Sequence, residues 1–208
     1  MYDTYILHDQ RLSGHLSNTA TRHVGEVRDT FPLDRIIDQV AIRIAENEVV
    51  NLVIAAHGLY GAGFSDAPAT PGGDTSHSFG GFGIQLGRDN IINANVHLFT
   101  RLRNSSECTT LRNIVIYACG AADIMPGGRN GVRDGFLLCR EMAAHSGCSV
   151  YASDTAQRFS TWRVNPTRTG MVQSDIYFSE WEGTVYKFDP DGSSTVVRDT
   201  SGPISLLY

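Results

Sequence analysis

VVNLVIAAHG at residues 49–58 and RNIVIYACGA at residues 112–121 decide the reading of this chain. Each is an apolar block, then a small residue, then a reactive side chain, then glycine. A nearly continuous apolar run predicts a strand buried on both faces, as in a parallel sheet. Upstream, Tyr5, Ile6 and Leu7 predict a short first strand. Leu33, Ile36, Ile37, Val40, Ala41 and Ile44 recur at helical spacing, which predicts an amphipathic helix over 34–46 with Pro32 at its start. Between the two blocks, residues 58–87 hold nine glycines and two prolines and read as loop, with a hairpin around Phe82, Gly83 and Ile84. Val96, Phe99 and Leu102 predict a second helix. Val132, Phe136, Cys139 and Ala143 lie on one face of a third, with Gly147 placed to end it. A strand over 149–152 follows, then short strands over 172–178, 184–188 and 195–197.

Strand and helix in alternation predict an α/β fold with a mostly parallel central sheet and helices on both faces. The length of 208 residues fits a single domain. Its core should span about 1–163, with a β-rich C-terminal edge over about 164–208. A composition of 41% apolar and 19% charged residues excludes collagen, coiled coil and wholesale disorder. The longest apolar run, 52–56, is far short of the roughly 20 residues that span a bilayer. The first ten residues carry no Sec-type signal pattern. A net charge of −5, without blocks of like charge, argues against a nucleic-acid surface.

The four cysteines, Cys108, Cys119, Cys139 and Cys148, are too scattered for a disulfide framework, and none has the CxxC spacing of a zinc site. Reduced thiols fit a cytosolic setting. Of the 17 basic residues, Lys187 is the one lysine. A GC-rich genome accounts for that bias; so does work in a place where lysine is a liability, such as a host cell entered by a bacterial effector along a non-Sec route.

Active sites of open parallel sheets form beyond the carboxyl ends of the strands. The two blocks end there in His57 and Cys119, and if their strands are neighbours both side chains emerge on one edge. A thiol acts as thiolate at neutral pH only beside a base or cation, and an imidazole supplies either. Glycine after each lets substrate approach the backbone. The backbone N–H groups of Gly58 and Cys119 are then candidate oxyanion-hole donors.

An apolar block ending in His-Gly, followed by one ending in Ala-Cys-Gly, resembles the caspase-like cysteine peptidases, a clan that includes legumain, gingipain, separase and the CHAT-domain proteins. The resemblance covers about 49–163. It implies a three-layer α/β/α sandwich, a His57–Cys119 catalytic dyad and cysteine endopeptidase activity on a protein or peptide substrate, with no metal or organic cofactor. Tyr117-Ala118-Cys119-Gly120-Ala121 departs from the caspase signature Gln-Ala-Cys-(Arg/Gln/Gly)-Gly at its first and last positions. The His-to-Cys separation of 62 residues compares with about 50 in caspases. Ser160-Thr161-Trp162-Arg163 echoes the family's Ser-x-Trp-Arg-like stretch. By that likeness Ser153, Asp154, Trp162 and Arg163 are candidate substrate-binding residues, and an arginine there suits a carboxylate.

Bland roles compete at several positions. Cys119 is also readable as a buried small residue, and His57 as a loop histidine. Asp154 and Asp123 are readable as turn or cap residues, and Cys139, Trp162 and Trp181 as core. His77 is the one other histidine in the glycine-rich loop. Two further functions stay open on the same fold: a catalytically inactive interaction module, and a thiol acyltransferase using the same dyad.

Overall fold

The computed structural model describes residues 2–59, 83–104, 110–124, 134–164, 171–178 and 180–198, with backbone alone for 104, 160–164, 171–175 and 177. In chain order the strands are β1 (Thr4–Asp9), β2 (Arg22–Val27), β3 (Asn51–Ala55), β4 (His57–Gly58), β5 (Ile84–Gln85), β6 (Asn113–Tyr117), β7 (Ser149–Ser153), β8 (Phe159–Val164), β9 (Met171–Phe178), β10 (Val185–Phe188) and β11 (Ser194–Val197). The helices are α1 (Leu33–Asn47), α2 (Thr100–Asn104), which continues a 3-10 turn at Val96–Phe99, and α3 (Gly135–Ser146).

Seven strands form one sheet in the order β2-β1-β3-β6-β7-β10-β11. The first five are parallel, β10 runs antiparallel to them, and β11 pairs antiparallel with β10. The fold is therefore α/β with a mostly parallel sheet, and the C-terminal strands extend that sheet. In β3, Leu52 and Ile54 face one core cluster while Val53 and Ala55 face another. The side chains of a strand alternate between faces, so a strand covered on both sides must be apolar throughout. That is why its sequence reads as a run.

The apolar stripe of α1 is buried from Leu33 to Ile44. Each large aliphatic buried there contributes about 1.5–3 kcal/mol. The Asp134 carboxylate caps α3 by accepting from Leu137 N at 2.9 Å, and Gly147 ends the helix at φ 72°, a left-handed cap that glycine adopts without strain.

The expectation of helices on both faces is corrected among the described residues. Side chains of α1, the 3-10 turn, α2 and α3 all enter the same cluster. The opposite cluster is built from Leu12, Leu16, Ile176, Phe178 and Trp181 against Ile6, Val53, Val115 and Tyr117, with no described helix. Strand order explains the asymmetry. The connections β2 to β3, β3 to β6 and β6 to β7 all step toward the β11 edge. Right-handed crossovers place all three on one face. Only β1 to β2 steps the other way, so its connection, residues 10–21, crosses the other face. His8 fastens that connection: it is buried, its Nε2 donates to the Leu12 carbonyl at 2.8 Å, and its Nδ1 meets Glu26 at 3.1 Å. No described helix is long and apolar enough to cross a membrane.

Candidate active site

β3 and β6 are neighbours in register, with Ala55 opposite Tyr117. The ladder continues one step further, Ala56 N donating to Tyr117 O at 3.3 Å. His57 and Cys119 therefore leave the same carboxyl edge of adjacent strands. Both side chains are half-buried. This edge adjoins the point where the chain reverses its direction of travel across the sheet, between β1 and β3, which is where open parallel sheets hold a crevice.

A Cβ on Gly58 would overlap the Cys119 carbonyl oxygen, so glycine is required there by space alone. His57 and Gly58 pair with Gln85 and Ile84 as the β4–β5 ribbon, and Leu59 N donates to Gly83 O at 3.0 Å. Antiparallel pairs alternate between bonded and non-bonded positions. Gly58 thus falls at a non-bonded position, and its N–H turns away from β5.

The His57 ring is held from the β1 side. Its Nε2 donates to the Arg11 carbonyl at 3.2 Å. A carbonyl accepts only, so this bond leaves Nδ1 as the basic nitrogen of the neutral ring. The Phe159 ring lies 6.4 Å from the imidazole, tilted by 59°. Burial pushes the His57 pKa below its ordinary 6.5, against opposing help from the Arg11 carbonyl and the Asp9 charge.

The Cys119 thiol donates to the Gln157 carbonyl at 3.7 Å. Burial pushes its pKa above the ordinary 9.0, while backbone hydrogen bonds at Gln157, Cys119 and Gly58 pull the other way. The last two are the positions expected as oxyanion donors. No hydrogen bond joins His57 to Cys119 among the described residues. Resting thiol and imidazole are accordingly both neutral, so His57 would have to remove the proton as attack begins.

The segment after β7 forms the site's second wall. Gly120 N donates to Thr155 O and Ala122 N to Ser153 O, both at 2.9 Å, and the Tyr117 hydroxyl reaches Arg158 O at 3.0 Å. The Gln157 side chain is buried and grips the Glu182 backbone with both ends of its amide, Nε2 donating to Glu182 O at 2.9 Å and Oε1 accepting from Glu182 N at 3.2 Å.

The candidate substrate-binding residues divide here. Ser153 is fully buried, and its hydroxyl donates to Glu182 O and accepts from Thr155 N. It props the wall from behind, which corrects the expectation that it faces substrate. Asp154 holds the start of β10 by accepting from Thr184 N at 2.9 Å, and also accepts from the Thr155 hydroxyl. Trp162 and Arg163 lie in β8, opposite Gln173 and Val172, and their side chains fall outside the described residues. Cys108 and His77 fall outside them too. Cys139 is core, and its pKa is raised by burial. Cys148 is also buried, and its thiol is pushed up to about 11. Trp181 packs edge-on against Tyr117 at 5.1 Å, as an aromatic core residue does. Asp123 is half-buried, with its carboxyl raised by burial and by Asp154. No group of three or more His, Cys, Asp or Glu is placed to hold a metal among the described residues.

No protein-family model, no curated protein and no solved structure matches the chain.

One contributor escaped the sequence reading. Asp9, at the carboxyl end of β1, is buried and ion-paired with Arg11, the residue whose carbonyl holds His57. The available signal was an acidic residue two positions beyond the apolar Tyr5-Ile6-Leu7 stretch.

Proposed function

We propose that the chain is a caspase-like cysteine endopeptidase with His57 as general acid/base and Cys119 as nucleophile. One observation carries this reading: in-register β3 and β6 bring the two residues to one sheet edge, with the Gly58 backbone against Cys119. His57 Nδ1 takes the thiol proton while Sγ bonds to the scissile carbonyl carbon. The oxyanion settles against the Gly58 and Cys119 N–H groups, each such donor being worth about 3 kcal/mol in the transition state. Collapse breaks the C–N bond, and the amine leaves with the proton from the imidazolium. Water, deprotonated by His57, then hydrolyses the thioester. A thiol nucleophile must stay reduced, which suits a cytoplasm, the source cell's own or a host's.

The test is incubation with peptidyl acyloxymethyl ketones carrying Asp, Asn, Arg, Lys or Leu next to the warhead, read by intact mass. One adduct on the wild type, absent in Cys119→Ala and slowed in His57→Ala, is the expected result. Labelling at another cysteine, or equal labelling of His57→Ala, overturns the dyad. The missing His57–Cys119 hydrogen bond favours a second reading, an inactive interaction module on the same fold. It predicts no adduct with any ketone. Transfer of the acyl group to an added amine in preference to water would instead mark an acyltransferase.

A further inference from the structure

We propose that Asp9 is a positioning residue for His57, fixing the carbonyl that selects its reactive tautomer; this rests on the dyad reading above. The Asp9 side chain is 1% exposed, and it accepts four hydrogen bonds. Its Oδ1 receives Arg11 N at 3.0 Å and Arg11 Nε at 2.8 Å. Its Oδ2 receives Arg11 Nη2 at 2.7 Å and Gly87 N at 2.9 Å. The same Nη2 also donates to Gly87 O at 2.8 Å.

These bonds clamp His57 from two sides. On one, the Arg11 peptide is bonded through its N–H and its forked guanidinium, so its carbonyl is held where Nε2 meets it. On the other, Gly87 lies two residues beyond Gln85, the strand partner of His57. One carboxylate thereby ties down both the acceptor and the ribbon that carries the imidazole. Bidentate Arg–carboxylate pairing supplies the directional rigidity such a clamp needs. The charges themselves act weakly at the ring, because Asp9 and Arg11 push the imidazole in opposite directions. The clamp therefore acts through geometry: with the Arg11 carbonyl displaced, the ring proton is free to move to Nδ1, and the base is lost.

Asp9→Asn puts an amide N–H where Arg11 or Gly87 must donate. Long-range proton–nitrogen NMR of the His57 ring, assigned with His57→Ala, reads the tautomer directly. The wild type should show the Nε2–H form, and Asp9→Asn a mixture. With the fastest-labelling acyloxymethyl ketone, kinact should fall about 100-fold with KI unchanged, the usual effect of roughly 1 Å of misplacement. Arg11→Lys keeps the backbone carbonyl and one ion pair but loses the fork. It should give the same effects in smaller measure, and it carries the test if Asp9→Asn does not fold. A wild-type Nδ1–H ring overturns the proposal. So do folded variants with an unchanged tautomer and an unchanged kinact. If no ketone labels the wild type, the dyad reading fails, while the tautomer measurement still judges Asp9 by itself.

Discussion

Gly58 and Cys119 meet backbone to backbone: the glycine's Cα faces the cysteine's carbonyl oxygen with no room for a methyl group between them. The φ angle of Gly58 lies outside the left-handed region, so an alanine there meets only a steric obstacle.

Gly58→Ala should therefore push the two strand ends apart. Overpacking of this kind costs about 1–3 kcal/mol. The urea midpoint should drop accordingly, and labelling of Cys119 should slow by about 100-fold through misplacement of the proposed oxyanion donor. A variant with wild-type labelling would remove Gly58 from the site.

The protonation states of the proposed dyad would set its pH behaviour. The Cys119 thiol titrates above 9.0 and the His57 ring below 6.5. Alkylation by iodoacetamide should consequently rise toward and beyond pH 9, with no plateau of thiolate reactivity in the acid range. The acid limb of kcat/KM should fall below 6.5, where the base becomes protonated. A reactive plateau between about pH 5 and 7 would reveal a preformed thiolate–imidazolium pair instead.

Stability should respond to the same burial in alkali. Cys119, Cys139 and Cys148 all have thiols raised above 9.0 in the fold. Unfolded thiols ionise first, so the unfolded state holds fewer protons than the native state above that pH, and stability falls as pH rises. Urea midpoints at pH about 7.5 and about 9.5 should show the fall, and Cys148→Ala should make it shallower. An identical slope in that variant would exclude this thiol as a contributor.

Ser153→Ala separates a supporting role from a substrate contact. Removing a buried hydroxyl with two partners leaves the Thr155 N–H unmatched and takes one of two donors from the Glu182 carbonyl, which keeps the Gln157 amide, at a cost of about 1–3 kcal/mol. Stability should fall while the ranking of the five ketones stays as it is. A changed ranking would return Ser153 to the substrate-facing surface.

The core offers a control far from the chemistry. Ile37 is fully buried in α1. Ile37→Ala should cost about 2–5 kcal/mol and leave the pH dependence of Cys119 alkylation unchanged in the folded protein. A shifted profile would mean that α1 tunes the thiol.

Much of this architecture was legible in the residues. β3 and β6 announced themselves as apolar runs, and α1 by its stripe, because burial on both faces or on one face leaves a periodic trace. β2 left none. It is an edge strand whose Arg22, His23 and Glu26 meet solvent in part, and Gly25 interrupts it because the Tyr5 hydroxyl occupies the space a Cβ would need. The one-sided placement of the helices was not legible either, since crossover handedness assigns faces only once the strand order is known. At the site, His57 and Cys119 stood out as strand endings. Asp9 did not, because its partner Gly87 lies 78 residues away and only the fold brings them together.

Among the described residues, the second face of the sheet is covered by connections and by β9 rather than by helices. Helical amides are protected by their own ladders, whereas irregular coverings open by local fluctuation. Arg11 and Gln157, the residues whose carbonyls hold His57 and Cys119, both sit in irregular connections. Amide hydrogen exchange should find these connections opening before the central strands, with the Arg11 amide itself protected by its bond to the buried Asp9 carboxylate. The proposed dyad could then be rearranged by a fluctuation that leaves the sheet intact.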